Sequence, residues 1–164
     1  PMKHTISILV LNHAGVLARV AGLFARRGFN IDSLAVGVTE DEKISRITII
    51  ADGTAYTLEQ IEKQLNKLID VIKVRHLPAE ELLSRELVLI KVACQPSQRA
   101  ELISLAEIAK AKISDITVNT MTLELSDSVP RIKTFEELLR PYGIKETVRT
   151  GSIAMQKGGA SMKL

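Results

Sequence analysis

Few residues of this chain are of types that do chemistry, and their spacing narrows the choice further. The three histidines, His4, His13 and His76, stand far apart with no metal-ligand spacing among them. The single cysteine, Cys94, closes the apolar run Leu87–Cys94, where a buried, inert thiol is expected. One cysteine excludes an internal disulfide and a cysteine metal cluster, and fits a reducing compartment. Gly15, Gly22 and Gly28 do not form the G-x-G-x-x-G pattern, so no nucleotide cofactor is expected. What is left is a polar turn, Asn12-His13-Ala14-Gly15, ahead of the apolar Val16 and Leu17, with a second amide at Asn30 followed by Ile31. Amides both donate and accept hydrogen bonds. A glycine at a helix start lets a small anion, such as a carboxylate, approach N–H groups that have no partner within the helix. Asn and Gly also serve any tight turn, so spacing alone leaves a purely structural role open.

The elements that would position these residues follow from periodicity. Ile6, Ile8 and Val10 alternate with Thr5, Ser7 and Leu9 as in a strand; Val16, Leu17, Val20, Leu23 and Phe24 recur at helical spacing. Arg26, Arg27 and Gly28 predict the end of that helix, with cations beside its free carbonyls and a glycine at the left-handed C′ position. A second strand opened by Asn30 and running to Val38, and a third over Ile44–Ala51, then read as a hairpin. Thr57-Leu58-Glu59-Gln60 fits a capping box for a helix carrying Leu58, Ile61, Leu65 and Leu68, and Val71–Leu77 is a fourth strand ended by Pro78. The order is βαββαβ. The same order repeats from Glu86–Cys94: a helix capped by Ser97 with Leu102, Leu105, Ile108 and Ala109 on its apolar face, strands over 113–118 and 121–125, a helix with Ile132, Phe135, Leu138 and Leu139 stopped by Pro141, and a strand over 144–150.

The fold class expected is therefore α+β, two ferredoxin-like βαββαβ domains in tandem. The boundaries read as a first domain over 1–77, a linker over 78–84, a second domain over 85–155 and a frayed tail over 156–164. In each domain the second strand lies at a sheet edge. An unpaired edge invites a partner, so two copies could join second strand to second strand.

Composition limits the partners. A net charge of +3 arises from 22 basic and 19 acidic residues that are interspersed, so charge alone does not point to nucleic acid. The ferredoxin-like fold also hosts RNA-binding domains, which stack bases on aromatic residues of the two central strands. The segments expected there, 6–11, 44–51, 86–94 and 121–125, contain no Phe, Tyr or Trp. No apolar run approaches the length of a membrane span, and no charged-then-apolar leader opens the sequence, so a cytoplasmic location is expected.

The run from Asn12 to Leu34, NHAGVLARVAGLFARRGFNIDSL, resembles the signature of the small regulatory subunit of acetohydroxyacid (acetolactate) synthase. Ser45–Ile49, Glu59–Leu68, Arg85–Leu87, Ile90–Val92 and Arg149–Gly151 resemble that family in the same order. Departures fall in the second half, at Ala109-Lys110-Ala111, Ser126-Asp127-Ser128 and Met155–Gly158. The resemblance implies that residues 1–77 form an ACT domain, an amino-acid sensor that pairs side by side with a second copy. It implies a branched-chain amino acid, most often valine, bound at the pair interface. By position Asn12, Gly15, Val16 and Leu17 would come from one subunit, and Asn30, Ile31 and Val36 from its partner. It further implies no catalytic residue and no cofactor or metal in this chain, with thiamine diphosphate, magnesium and FAD on the large catalytic subunit. The function implied is activation of that subunit and feedback inhibition by valine in branched-chain amino-acid biosynthesis. A free-standing amino-acid-binding regulator and an RNA-binding module are the competing classes.

Overall fold

The computed structural model describes residues 2–162. The chain divides into two units, residues 1–83 with 152–164, and residues 84–151.

In the first unit the order is β1 (Met2–Leu11), α1 (Val16–Arg26), β2 (Ile31–Val38), β3 (Ile44–Gly53), α2 (Ala55–Leu65) and β4 (Val71–Leu77). The strands form an antiparallel sheet in the order β2-β3-β1-β4, so β2 lies at an edge and β1 and β3 are central, as expected. Ile6, Ile8 and Val10 stand opposite Ile49, Ile47 and Ser45, and the isoleucines and valine bury against Val16, Val20, Leu23, Phe24, Leu58, Ile61 and Leu65 from the two helices. Helix α1 ends as predicted. Gly28 takes φ 74°, its N–H donates to the Ala25 carbonyl and the Phe29 N–H to the Phe24 carbonyl, which is a Schellman closure. The Phe29 ring completes it by packing edge-on against Phe24 with centroids 6.1 Å apart. Phe29 in turn explains Gly53, because a Cβ there would lie 1.9 Å from a ring carbon.

Helix α2 corrects an expectation. Its cap is Thr54, whose hydroxyl accepts the Thr57 N–H at 3.1 Å, and Thr57 lies inside the first turn rather than before it. The Thr57–Gln60 pattern matched a capping box by composition, but Ala55 and Tyr56 are already helical.

The second face of this sheet also departs from the alternation in the sequence. Thr5, Ser7, Leu9 and Thr48 are buried although they point away from the helices. Part of their cover is the segment expected to close the second domain and fray. Residues 152–162 belong to the first unit. The Ser152 N–H donates to Ser33 Oγ at 2.7 Å, Arg46 Nη2 donates to the Ala154 carbonyl at 2.7 Å, and Arg75 Nη1 to the Ser161 carbonyl at 3.4 Å. Gly151, at φ 82°, precedes the turn into β9 (Ile153–Gln156), which pairs with β5 (Leu82–Ala93). The expected boundary at 155 therefore falls at 151, and the tail expected from 156 begins in an ordered strand. The small Ser152 and Ala154 are buried while Ile153 and Met155 are exposed, an inverted pattern that lets this backbone lie close over its neighbours. Likewise the expected linker 78–84 holds a 3₁₀ turn, Ala79–Glu81, and the first residues of β5.

In the second unit α3 (Arg99–Ala109), β6 (Lys112–Ile116), β7 (Thr120–Asp127), α4 (Val129–Leu139) and β8 (Ile144–Arg149) follow β5. The order β6-β7-β5-β8 repeats the first sheet. Val88, Ile90, Val92, Met121, Leu123 and Leu125 bury against Leu102, Ala106, Ile132, Phe135 and Leu139. Ser97 does not cap α3. Gln95 and Gln98 exchange reciprocal bonds around a 3₁₀ turn, Pro96–Gln98, that leads into the helix. Ile108, expected on the apolar face, is 78% exposed, and Leu138 is half-exposed. The Arg149–Gly151 motif closes the sheet: Arg149 reaches Glu136 on α4 at 2.6 Å and the buried Glu86 at 3.7 Å, while the Thr150 hydroxyl accepts the Leu87 N–H.

Candidate functional site

The turn between β1 and α1 is held from two sides of the first unit. The Asn12 N–H donates to the Lys43 carbonyl at 2.8 Å, and the Asn12 side-chain amide to the Glu42 carbonyl at 3.1 Å, which ties the turn to the β2–β3 hairpin. The Leu11 N–H donates to the Asp70 carbonyl. Gly15 sits at the N-cap with φ 85° and ψ −11°, a left-handed conformation that a β-carbon resists, and its side-chain position is open space. No described side chain caps α1, so the amides of its first turn face outward at the positive end of the helix.

Asp70 was missed in the sequence. It lies just before β4 and is largely buried; Arg19 of α1 bonds its carboxylate, and His13 Nδ1 lies 3.5 Å from it. The His13 side chain is exposed and lies against this carboxylate. Beside the anion-receptive helix start there is thus a carboxylate that Arg19 bonds and His13 faces. Its only signal was a polar residue between the apolar Ile69 and Val71, which reads as an ordinary turn.

The residues singled out in the sequence separate into two groups. Asn12, Gly15 and Leu17 gather at one end of the sheet, and Leu17 is 41% exposed there. Val16 is 3% exposed and packs into the core, so only its backbone N–H, not its side chain as expected, faces the turn. Asn30 and Ile31 lie at the other end. The Asn30 carbonyl accepts the Asp52 N–H, its side chain bonds Asp32, and Asp52 stands opposite Lys3 in the β1–β3 register. Lys3 is eight residues from Leu11 along β1, about 27 Å at strand spacing. Val36 stands between the two groups on the edge strand, opposite Ile47, and is 48% exposed. One chain does not bring these residues into one pocket.

No group of three or more His, Cys, Asp or Glu among the described residues could hold a metal ion, and no described helix is long and apolar enough to cross a membrane. The central strands β1, β3, β5 and β7 carry no Phe, Tyr or Trp. Cys94 is buried, as expected.

Residues 6–73 match the family described as AHAS small subunit-like ACT domain, and residues 85–158 the family described as small subunit of acetolactate synthase. The chain is 49% identical over 157 residues to a probable acetolactate synthase small subunit of Archaeoglobus fulgidus, covering 96% of this chain and 98% of that one. It is 50% identical over 163 residues to the corresponding protein of Methanothermobacter thermautotrophicus, covering 99% and 97%. The crystal structure of the acetolactate synthase small subunit from Thermotoga maritima superposes with a TM-score of 0.91 at 38% identity, covering 98% of this chain and all of that one. With its tandem ferredoxin-like units and N-terminal ACT domain, the chain belongs to the family of acetolactate synthase small subunits, the non-catalytic regulatory partners of a large catalytic subunit.

Proposed function

We propose that this chain activates the large catalytic subunit of acetolactate synthase and makes it sensitive to feedback inhibition by valine, bound where two copies of the first unit meet. The observation that carries this reading is the separation of the two residue groups. Asn12 and Gly15 lie at one end of the first sheet and Asn30 and Ile31 at the other, with the edge strand β2 between them. A second copy added antiparallel along β2 about a two-fold axis sets the Asn30 end of each chain beside the Gly15 end of the other. The α1 amides then receive the carboxylate. Amide oxygens, with Asp70 nearby, suit the ammonium, and Leu17, Ile31 and Val36 suit the isopropyl group. Thiamine diphosphate, magnesium and FAD are assigned to the catalytic partner. Valine inhibits because it binds more tightly to the less active arrangement of the complex, and a site at a joint between subunits changes when they rotate.

The test is Gly15→Asp. Aspartate tolerates the left-handed conformation better than most residues, and a β-carbon at this position meets nothing within 4 Å. Reconstituted with the catalytic subunit, the variant is expected to retain activation and lose valine inhibition. Inhibition at the original valine concentration would overturn the site.

A further inference from the structure

The first unit holds a second concave site, on the face of its sheet away from α1 and α2. Arg46 of β3 stands opposite Leu9 of β1, and Arg75 of β4 opposite Ser7. Cross-strand partners share a face, and Ser7 and Leu9 share one by their spacing, so both guanidiniums rise from the same side. Above them runs the 155–162 segment, and the space between is a crevice of about 350 Å³ lined by Glu40, Arg46, Arg75, Leu77, Met155 and Met162, with the backbone of Gly158 and Gly159.

The charges there are unbalanced. Neither arginine forms an ion pair with a described residue; Arg46 holds the Ala154 carbonyl just ahead of the segment, and Arg75 the Ser161 carbonyl within it. A guanidinium has five N–H donors, so pinning the segment leaves most of them unused. Arg46 is held below the ordinary arginine pKa by burial and then by the nearby Arg75 charge, so the pair is kept together at a cost that an anion would relieve. Among the described residues that line the crevice, two guanidiniums and the Glu40 carboxylate leave one net positive charge, which matches a monoanion. Leu77, Met155 and Met162 offer an apolar wall, and methionine adapts to varied shapes. Gly158, at φ 82°, and Gly159 have open space where a Cβ would stand, which admits close backbone approach. Beside Arg75 in the sheet, the buried Ser7 hydroxyl has no partner.

We propose that this crevice binds a small monocarboxylate with a short aliphatic body, held by Arg46 and Arg75 and closed over by the 155–162 segment. The site lies within one chain and does not depend on the valine reading. A mere pinning role for the arginines predicts no ligand at all.

Calorimetric titration of the 164-residue chain in chloride-free buffer tests it with three probes: isobutyrate, its neutral analogue isobutyramide, and inorganic phosphate. Saturable binding of isobutyrate is expected, with isobutyramide silent and phosphate at least about tenfold weaker. Arg46→Gln and Arg75→Gln should each weaken isobutyrate about tenfold or more. Glu40→Gln, which leaves the pinning bonds in place, should tighten it several-fold by removing a like charge. Gly15→Asp should leave it unchanged, which separates this site from the valine site. No saturable isobutyrate binding overturns the proposal, as do phosphate binding equal to isobutyrate, or binding insensitive to the arginine substitutions or weakened by Glu40→Gln.

Discussion

His4 and His76, far apart in the sequence, are neighbours in the fold. His4 Nδ1 lies 3.2 Å from His76 Nε2, and His4 Nε2 bonds the Gly53 carbonyl at 3.0 Å. The carbonyl requires a proton on Nε2 of His4, which leaves Nδ1 to accept from His76 in the neutral pair. The His76 pKa is lowered from 6.5, first by burial and then by the His4 charge, with Glu62 opposing. A histidine whose folded pKa is depressed is stable in its neutral form. Its contribution is full above the unfolded value of 6.5 and is lost as the pH falls toward the folded value. Denaturant midpoints measured between pH 8 and pH 5 should therefore fall in the acid limb, and His76→Gln should flatten that fall. An acid limb as steep in the variant would assign it to other groups. Nothing in the spacing of residues 4 and 76 announces this pair, because it depends on strand register. By contrast, Asn12 and Gly15 were legible as a turn held open at a helix start, since the type of residue and the change of period coincide there.

At the scale of elements, strands and helices were read where one period dominates and one face meets the core. Ile6, Ile8 and Val10 on β1 and Leu58, Ile61 and Leu65 on α2 are buried as their spacing implied. Misreadings arose where local chemistry offers equivalent choices. Thr54 and Thr57 are both competent caps, and only the backbone path decides; the Thr54 hydroxyl accepts the Thr57 N–H. Thr54→Ala should cost about 1 kcal/mol of stability in chemical denaturation. A change within error would mean that the cap bond does not stabilise α2. Ile108 and Leu138 satisfied the helical period but lie on the outer margin of their stripe, beside the gap between α3 and α4 rather than in the core. Residues 152–156 were misplaced for a different reason. Their small residues are the buried ones, so the usual assignment of large apolar residues to the inner face inverts them.

At the scale of the molecule, the tandem βαββαβ order was legible from the sequence because each unit carries its own complete set of periodic segments. The joining of the last strand to the first unit was not, since it depends on the reversal after Gly151 and on contacts across more than a hundred residues. The proposed shared valine site is likewise invisible in one chain. The proposal rests on the opposition of Gly15 and Asn30 across the sheet, together with the edge position of β2. Subunit complementation tests it most directly. Gly15→Asp damages the helix-start half of the site and Asn30→Ala the partner half, so each homodimer should bind no valine. When equal amounts are unfolded and refolded together, half of the dimers are mixed, and each mixed dimer carries one site with both lesions and one with neither. Valine binding should then return to about one quarter of the wild-type site count. A mixture that binds no valine while mixed dimers demonstrably form would contradict a site built from two chains.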